Sequence, residues 1–313
     1  MKRALATFAA LALAACAAVP RLGQYTGGGS VELSSVPFFA QDELQCGPAA
    51  LATVLDATGA GVTPADLKPQ VYIPARGGSL QAELIAATRV YGRVPYVLQP
   101  TLDALLAELR AGHPVLILQN LGLDALPTWH YAVLIGYDTA SDQLILRSGR
   151  EPRQQLSLSE FLAFWRGDAR WAMVVTTPDR IPATATPEPW IAAAAAFESL
   201  HKPALAETAY AAATQRWPQA SMAWLALGNA RYALGDKSAA AQAYAQAVKL
   251  APTSADALNN YGQALADLGC PASGRAQAQA ALALAADESR RQVYRATLAG
   301  IGTGNDGPAC KPL

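Results

Sequence analysis

The chain is poor in the residues on which much protein chemistry depends. Among 313 residues there are three His, four Cys and three Met. No Cys/His cluster has the spacing of a metal site, so neither a metal nor any other cofactor is expected. Charge of both signs is sparse and balanced, with 24 Lys and Arg against 24 Asp and Glu. That balance provides no attractive field, and nucleic acid is not expected as a partner. Beyond the first fifteen residues no apolar run is long enough to cross a bilayer.

Those first residues have a pattern of their own. Met1-Lys2-Arg3 is a short basic start, and Ala4 to Ala15 is apolar but too short to span a membrane. The run ends Leu13-Ala14-Ala15-Cys16, which resembles the bacterial lipoprotein signal. The resemblance implies a signal peptide over 1–15, lipid attachment at Cys16 and a periplasmic protein tied to the membrane by its anchor. Ala17 follows Cys16 where Asp would favour inner-membrane retention, which points to the outer membrane. Residues 16–34 contain Gly27-Gly28-Gly29-Ser30 and read as a flexible tether.

Three cysteines remain. Cys270 and Cys310 lie in the C-terminal part, where an oxidising compartment permits a disulfide between them; two separate thiols are the alternative. Cys46 stands apart. It precedes Gly47-Pro48 and a helical pattern, and Pro is favoured in a helix's first turn. A Cys there faces the positive end of the helix dipole, which favours the nucleophilic thiolate. Gln41, five residues upstream, can offer an amide N–H to a developing oxyanion.

A thiolate nucleophile needs a base. His130 opens the apolar strand Tyr131 to Gly136 after an irregular loop, a position that can face a cleft. His113, between Gly112 and Pro114, reads as a turn residue. His201 reads as a solvated residue of a helix.

Composition divides the chain near residue 180. Pro178, Pro182, Pro187 and Pro189, interleaved with Thr and Ala, read as a stiff linker over 178–189. Beyond it a 34-residue period runs from starts at 187, 221 and 255. Trp190, Trp224 and Leu258 share one position of the period, as do Ala194, Gly228 and Gly262, and Ala206, Ala240 and Gly274. Small residues recur where helices must approach closely. This resembles the tetratricopeptide repeat. Three repeats with a capping helix over 187–300, then a tail over 301–313, form a short all-α solenoid. The resemblance implies a protein partner on the concave face; a packing module without a ligand is the alternative.

Before the linker, helices are expected near 47–57, from 64, over 80–91 after an N-cap at Ser79, over 102–111 after Thr101, and after the Ser157/Glu160 capping box. Strands are expected at 94–98, 115–119, 130–137, 143–148 and 171–176. Helices followed by an antiparallel sheet make an α+β plan.

Gln41, Cys46-Gly47-Pro48-Ala49-Ala50 and His130-Tyr131-Ala132-Val133 with Gly136 resemble the bacteriocin-processing, double-glycine cysteine peptidases, a papain-like family. The likeness covers residues 35–177. It implies Cys46 as nucleophile, His130 as base and acid, Gln41 in the oxyanion hole, and peptides cut after small residues such as Gly-Gly as substrates. The chain departs from the family where an Asp on the next strand would orient the imidazole. If Tyr137 pairs with Gln143, Ser148 falls opposite Ala132 and takes that place. Asp138 cannot substitute, since eight residues along a strand is about 26 Å. A serine does not favour imidazolium as a carboxylate would. Three classes follow: a membrane-anchored thiol peptidase acting on a peptide or protein, a catalytically weak peptide-binding lipoprotein, or another papain-like acyl transfer such as an amidase or transamidase.

Overall fold

The computed structural model describes residues 21–41, 45–307 and 310. The expected signal peptide and the lipid-attachment residue Cys16 lie outside the described residues.

The N-terminal half is one antiparallel sheet with helices on both faces. In chain order its elements are α1 (Gly23–Thr26), β1 (Ser30–Glu32), α2 (Cys46–Asp56), α3 (Pro64–Val71), α4 (Gln81–Val90), β2 (Val94–Val97), α5 (Leu102–Arg110), β3 (Val115–Asn120), β4 (Trp129–Asp138), β5 (Gln143–Ser148), β6 (Glu151–Ser157), α6 (Leu158–Phe164) and β7 (Ala172–Thr176). The strand order is β2-β7-β3-β4-β5-β6, and β1 pairs with the far end of β4.

Strand alternation splits the apolar residues between two cores. Leu116, Leu118, Tyr131, Val133 and Ile135 face α2 and α3, where Ala50, Leu51, Val54, Leu55 and Leu67 meet them. Ile117, Ala132, Leu134, Leu144 and Leu146 face the other way, onto Leu105, Leu106 and Leu109 of α5 and Phe161 and Trp165 near α6. Local signals start several helices. Thr63 and Asp66 form a capping box for α3, Thr101 Oγ1 accepts from Ala104 N–H, and Ser157 with Glu160 caps α6.

Two expectations need correction. The reading of 16–34 as a tether fails over its described part. Leu22 is fully buried, its N–H donates to Asp142 Oδ1 at 2.7 Å, and Val31 and Leu33 pack against the sheet. The glycines at 27–29 turn the chain with positive φ, between segments that dock. The linker is likewise bound. Glu108 of α5 has no solvent exposure, and its carboxylate accepts from the N–H groups of Ala183 (3.1 Å) and Thr184 (2.7 Å), from the Thr184 hydroxyl (2.6 Å) and from His113 (2.7 Å). Burial pushes the Glu108 carboxyl upward, but those hydrogen bonds outweigh it and hold the group below its ordinary value.

The C-terminal half is helical: α7 (Pro187–Ser199), α8 (Pro203–Arg216), α9 (Ser221–Ala233), α10 (Lys237–Leu250), α11 (Ala255–Asp267), α12 (Pro271–Ala283) and α13 (Glu288–Gly300). Helices begin at 187, 221 and 255. Gly262 and Gly274 let α11 and α12 touch; a Cβ on Gly262 would lie 2.7 Å from the Gly274 carbonyl oxygen. Cys270 and Cys310 are joined by a disulfide with Cα atoms 5.2 Å apart. Beside it, Asp306 accepts from the N–H groups of Ala272 and Ser273 at the start of α12. His201 sits in the exposed turn between α7 and α8 with φ +54°, not within a helix.

The two halves share a core. Trp190, Phe197, Ala206, Tyr210 and Leu227 belong to the same buried cluster as the α5 face of the sheet. Tyr96 of β2 lies 6.5 Å from Trp190 between ring centroids, and its hydroxyl accepts from Thr186 N–H. Among the described residues no helix is long and apolar enough to cross a membrane.

Candidate active site

Cys46 is the first residue of α2, and the helix is buried from Gly47 to Leu55. That burial fixes the helix start against the sheet, so the thiol's position is set by the core and not by a loop. Among the described residues it is the free cysteine, and it is half-buried. The next residue must be small. A Cβ on Gly47 would lie 2.2 Å from Ser79 Oγ and 2.5 Å from Ser79 Cβ. Ser79 therefore does not cap α4 as expected. It packs across the start of α2, its hydroxyl is buried without a partner among the described residues, and its carbonyl accepts from the Tyr131 hydroxyl at 3.4 Å.

His130 comes from β4. Its Nε2 is 3.0 Å from Ser148 Oγ, which leaves Nδ1 as the nitrogen not engaged by Ser148. Burial disfavours the charged imidazolium and lowers the His130 pKa. The contact depends on a fault in the ladder. At the hairpin end Asp138 pairs with Gln143 and Tyr137 with Leu144, one residue away from the expected register. A bulge between Leu134 and Gly136 then shifts the pairing, and Val133 faces Arg147. That register puts Ser148 on the His130 face. Without the bulge every β5 side chain from there onward would turn to the other face.

Gln41 is fixed at the same place. Its N–H donates to the Gly149 carbonyl at 2.9 Å, and its Nε2 to the Tyr131 carbonyl at 3.4 Å. Gln41, Cys46, Ser79, His130 and Tyr131 line a single cavity of about 720 Å³. Pro127 and the half-exposed Trp129 form part of its wall. Arg76 and Arg150 add two exposed guanidinium groups, and among its described lining residues there is no carboxylate. Tyr131 is braced edge-to-face on Trp171, 6.1 Å between centroids, and burial raises its hydroxyl pKa.

The cavity thus brings together three of the residues read from the sequence, with Ser148 behind His130. His113 is elsewhere, at the seam with Glu108, and Cys270 and Cys310 lie in the repeats. As residues of the cavity, Ser79, Tyr131 and Arg76 escaped sequence reading. The available signal was Gly47 between Cys46 and Pro48, a position where a residue without a Cβ fits against Ser79.

The first half is thus an antiparallel sheet flanked by helices, with a Cys-led helix and a His-bearing strand on one cavity. Residues 33–172 match the Peptidase_C39 like family, and residues 191–255 and 225–290 match the tetratricopeptide repeat. The chain carries a Peptidase_C39-like domain followed by tetratricopeptide repeats.

Likeness to solved structures is distant. A C39-like peptidase from Bacillus anthracis is 20% identical with a TM-score of 0.42, over 47% of this chain and 97% of that one. The peptidase domain of Streptococcus ComA, a bifunctional ABC transporter, is 21% identical with a TM-score of 0.37, over 45% and 98%. A double-glycine-motif protease from the AMS/PCAT transporter, in complex with the leader peptide, is 20% identical with a TM-score of 0.34, over 45% and 90%. A comparison with curated proteins returned no match.

Proposed function

We propose that the protein is a cysteine peptidase in which Cys46 attacks a peptide carbonyl and His130 moves the proton. The observation that carries this is the shared cavity: a helix-start thiol, an imidazole and an amide side chain all line it. His130 takes the thiol proton, and the thiolate adds to the carbonyl carbon. The oxyanion is stabilised by the Cys46 N–H, which points out of the start of α2, and by Gln41 Nε2. The tetrahedral intermediate collapses as imidazolium gives its proton to the leaving amine, and a thioester remains. Water, deprotonated by His130, hydrolyses that thioester and frees the thiol.

Substrates cut after small residues such as Gly-Gly fit the family resemblance. The repeats would hold the substrate or a partner protein. Lipidation at Cys16 would place the enzyme at the periplasmic face of the outer membrane.

A neutral Ser148 behind the base favours a second reading, in which the thioester passes to an amine or the scissile bond is a side-chain amide. The test is labelling of Cys46 by a thiol-directed probe, with and without His130→Ala, followed by mass analysis of products from a peptide library. Labelling independent of His130 rules out the pair. Labelling with His130 dependence and no hydrolysed peptide, but an amine-exchanged product, selects the second reading.

A further inference from the structure

The imidazole has a neighbour on its other side. Gln119, near the end of β3, stands directly opposite His130 in the β3–β4 ladder. Residues so opposed project from the same face, with Cβ atoms roughly 4.5–5.5 Å apart. Ser148 reaches that face from β5. His130 is therefore flanked from both adjacent strands, at the end of a layer that Ile117, Ala132 and Leu146 continue in apolar form. Gln119 is only 1% exposed, and its Nε2 has no hydrogen-bond partner among the described residues. A buried donor left open is destabilising. A leucine would fill the layer without that cost, so packing does not explain the amide.

We propose that Gln119 is a positioning residue for His130, holding the imidazole from the β3 side while Ser148 holds it from the β5 side. Two neutral side chains then share the orienting role that the family gives to one carboxylate. This rests on His130 being the base of the proposed reaction. A primary amide suits both charge states of the ring. Rotation about its last torsion can exchange a carbonyl oxygen, which would share the imidazolium Nε2–H with Ser148, for an N–H dipole against the neutral ring, and neither state takes Nδ1 from the thiol. The donor that is open at rest is available for that exchange. Burial works against imidazolium, so a dipole that turns toward the charged ring matters most after proton transfer.

The test is the pH profile of iodoacetamide alkylation of Cys46 in the full chain, read by mass spectrometry of the Cys46 peptide, for the wild type, Gln119→Leu, Gln119→Glu and His130→Ala. Gln119→Leu should slow alkylation near neutral pH about tenfold, the equivalent of one pKa unit, toward the His130→Ala profile. Gln119→Glu places a carboxylate beside the ring. It should raise the rate on the acid side of the profile about tenfold, since an opposite charge this close favours imidazolium by a unit or more. A Gln119→Leu profile that overlays the wild type while His130→Ala departs from it overturns the inference and leaves the Cys46–His130 reading intact. A His130→Ala profile that overlays the wild type overturns both. If Gln119→Leu fails to fold, the near-isosteric Gln119→Glu decides, and an unmoved acid limb overturns the inference.

Discussion

Ser148 Oγ meets His130 Nε2 at 3.0 Å only because β4 carries a bulge between them and the hairpin turn. The same pairing makes Ser148 the natural place to restore a charge. Ser148→Asp should favour imidazolium and raise the rate of Cys46 alkylation near neutral pH by about tenfold, with hydrolysis of a model peptide rising in parallel. Ser148→Ala should lower both. A Ser148→Asp profile identical to the wild type would mean that position 148 does not act on the base.

The buried, neutral tendency of His130 makes a prediction for stability. Its folded pKa lies below the unfolded value of about 6.5. The unfolded chain therefore binds this proton first as pH falls. The contribution is fully present above the unfolded pKa and is lost as pH drops through that value toward the lowered folded one. Urea unfolding should show stability declining on the acid side of about pH 6.5, and His130→Gln should flatten that part of the curve. An equal decline in the variant would assign it to other groups.

Gly47 and Ser79 should behave as a coupled pair. Gly47→Ala drives a Cβ into Ser79 and should displace the start of α2, reducing thiol reactivity at least about tenfold with the fold retained. Overpacking of this kind typically costs about 1–3 kcal/mol. Adding Ser79→Gly removes both clashing atoms, and the double variant should recover most of the reactivity. Failure to recover, with cooperative unfolding intact, would show that Ser79 contributes more than bulk.

Glu108 closes the seam between sheet and repeats. Glu108→Ala strands the Ala183 and Thr184 donors and leaves His113 without its partner. It should lower stability by about 3–5 kcal/mol, as for other broken buried pairs. The carboxyl is held below its ordinary value, so its share of stability is present above the unfolded carboxylate pKa and disappears as pH falls through the folded one. Thermal unfolding should also split into two transitions in the variant. A single transition at the wild-type temperature would show that the clasp is ornamental to the joint.

Much of this architecture was legible in the chain because its signals are local. The Cys-Gly-Pro start and the capping residues Thr101 and Ser157 act within one or two turns, and the 34-residue spacing of small residues acts within one helix pair and its neighbour. What escaped reading is long-range. β6 is a polar edge strand with Pro152, a residue that edges tolerate and that alternation does not reveal. β1 is three residues long and gains its place from β4. The pairing of Ser148 with His130 came from a register off by one at the turn, and an unforeseen bulge brought it back. Gln119 looked like the polar end of a buried strand, and only its partner across the ladder gives it meaning.

The continuous core through Tyr96, Trp190 and Leu227 makes the joint a weld and not a hinge. The repeats are not an interchangeable cassette. A chimera spliced at residue 178 would expose the apolar face of β2 and α5 and leave the Glu108 carboxylate with no backbone to hold. A replacement repeat array grafted there would need its own counterparts of Thr184, Trp190 and Phe197 before it could sit on this sheet. A partner bound on the repeats, as proposed, would thereby be kept at a constant reach from Cys46, and the seam would act as a ruler built into the fold.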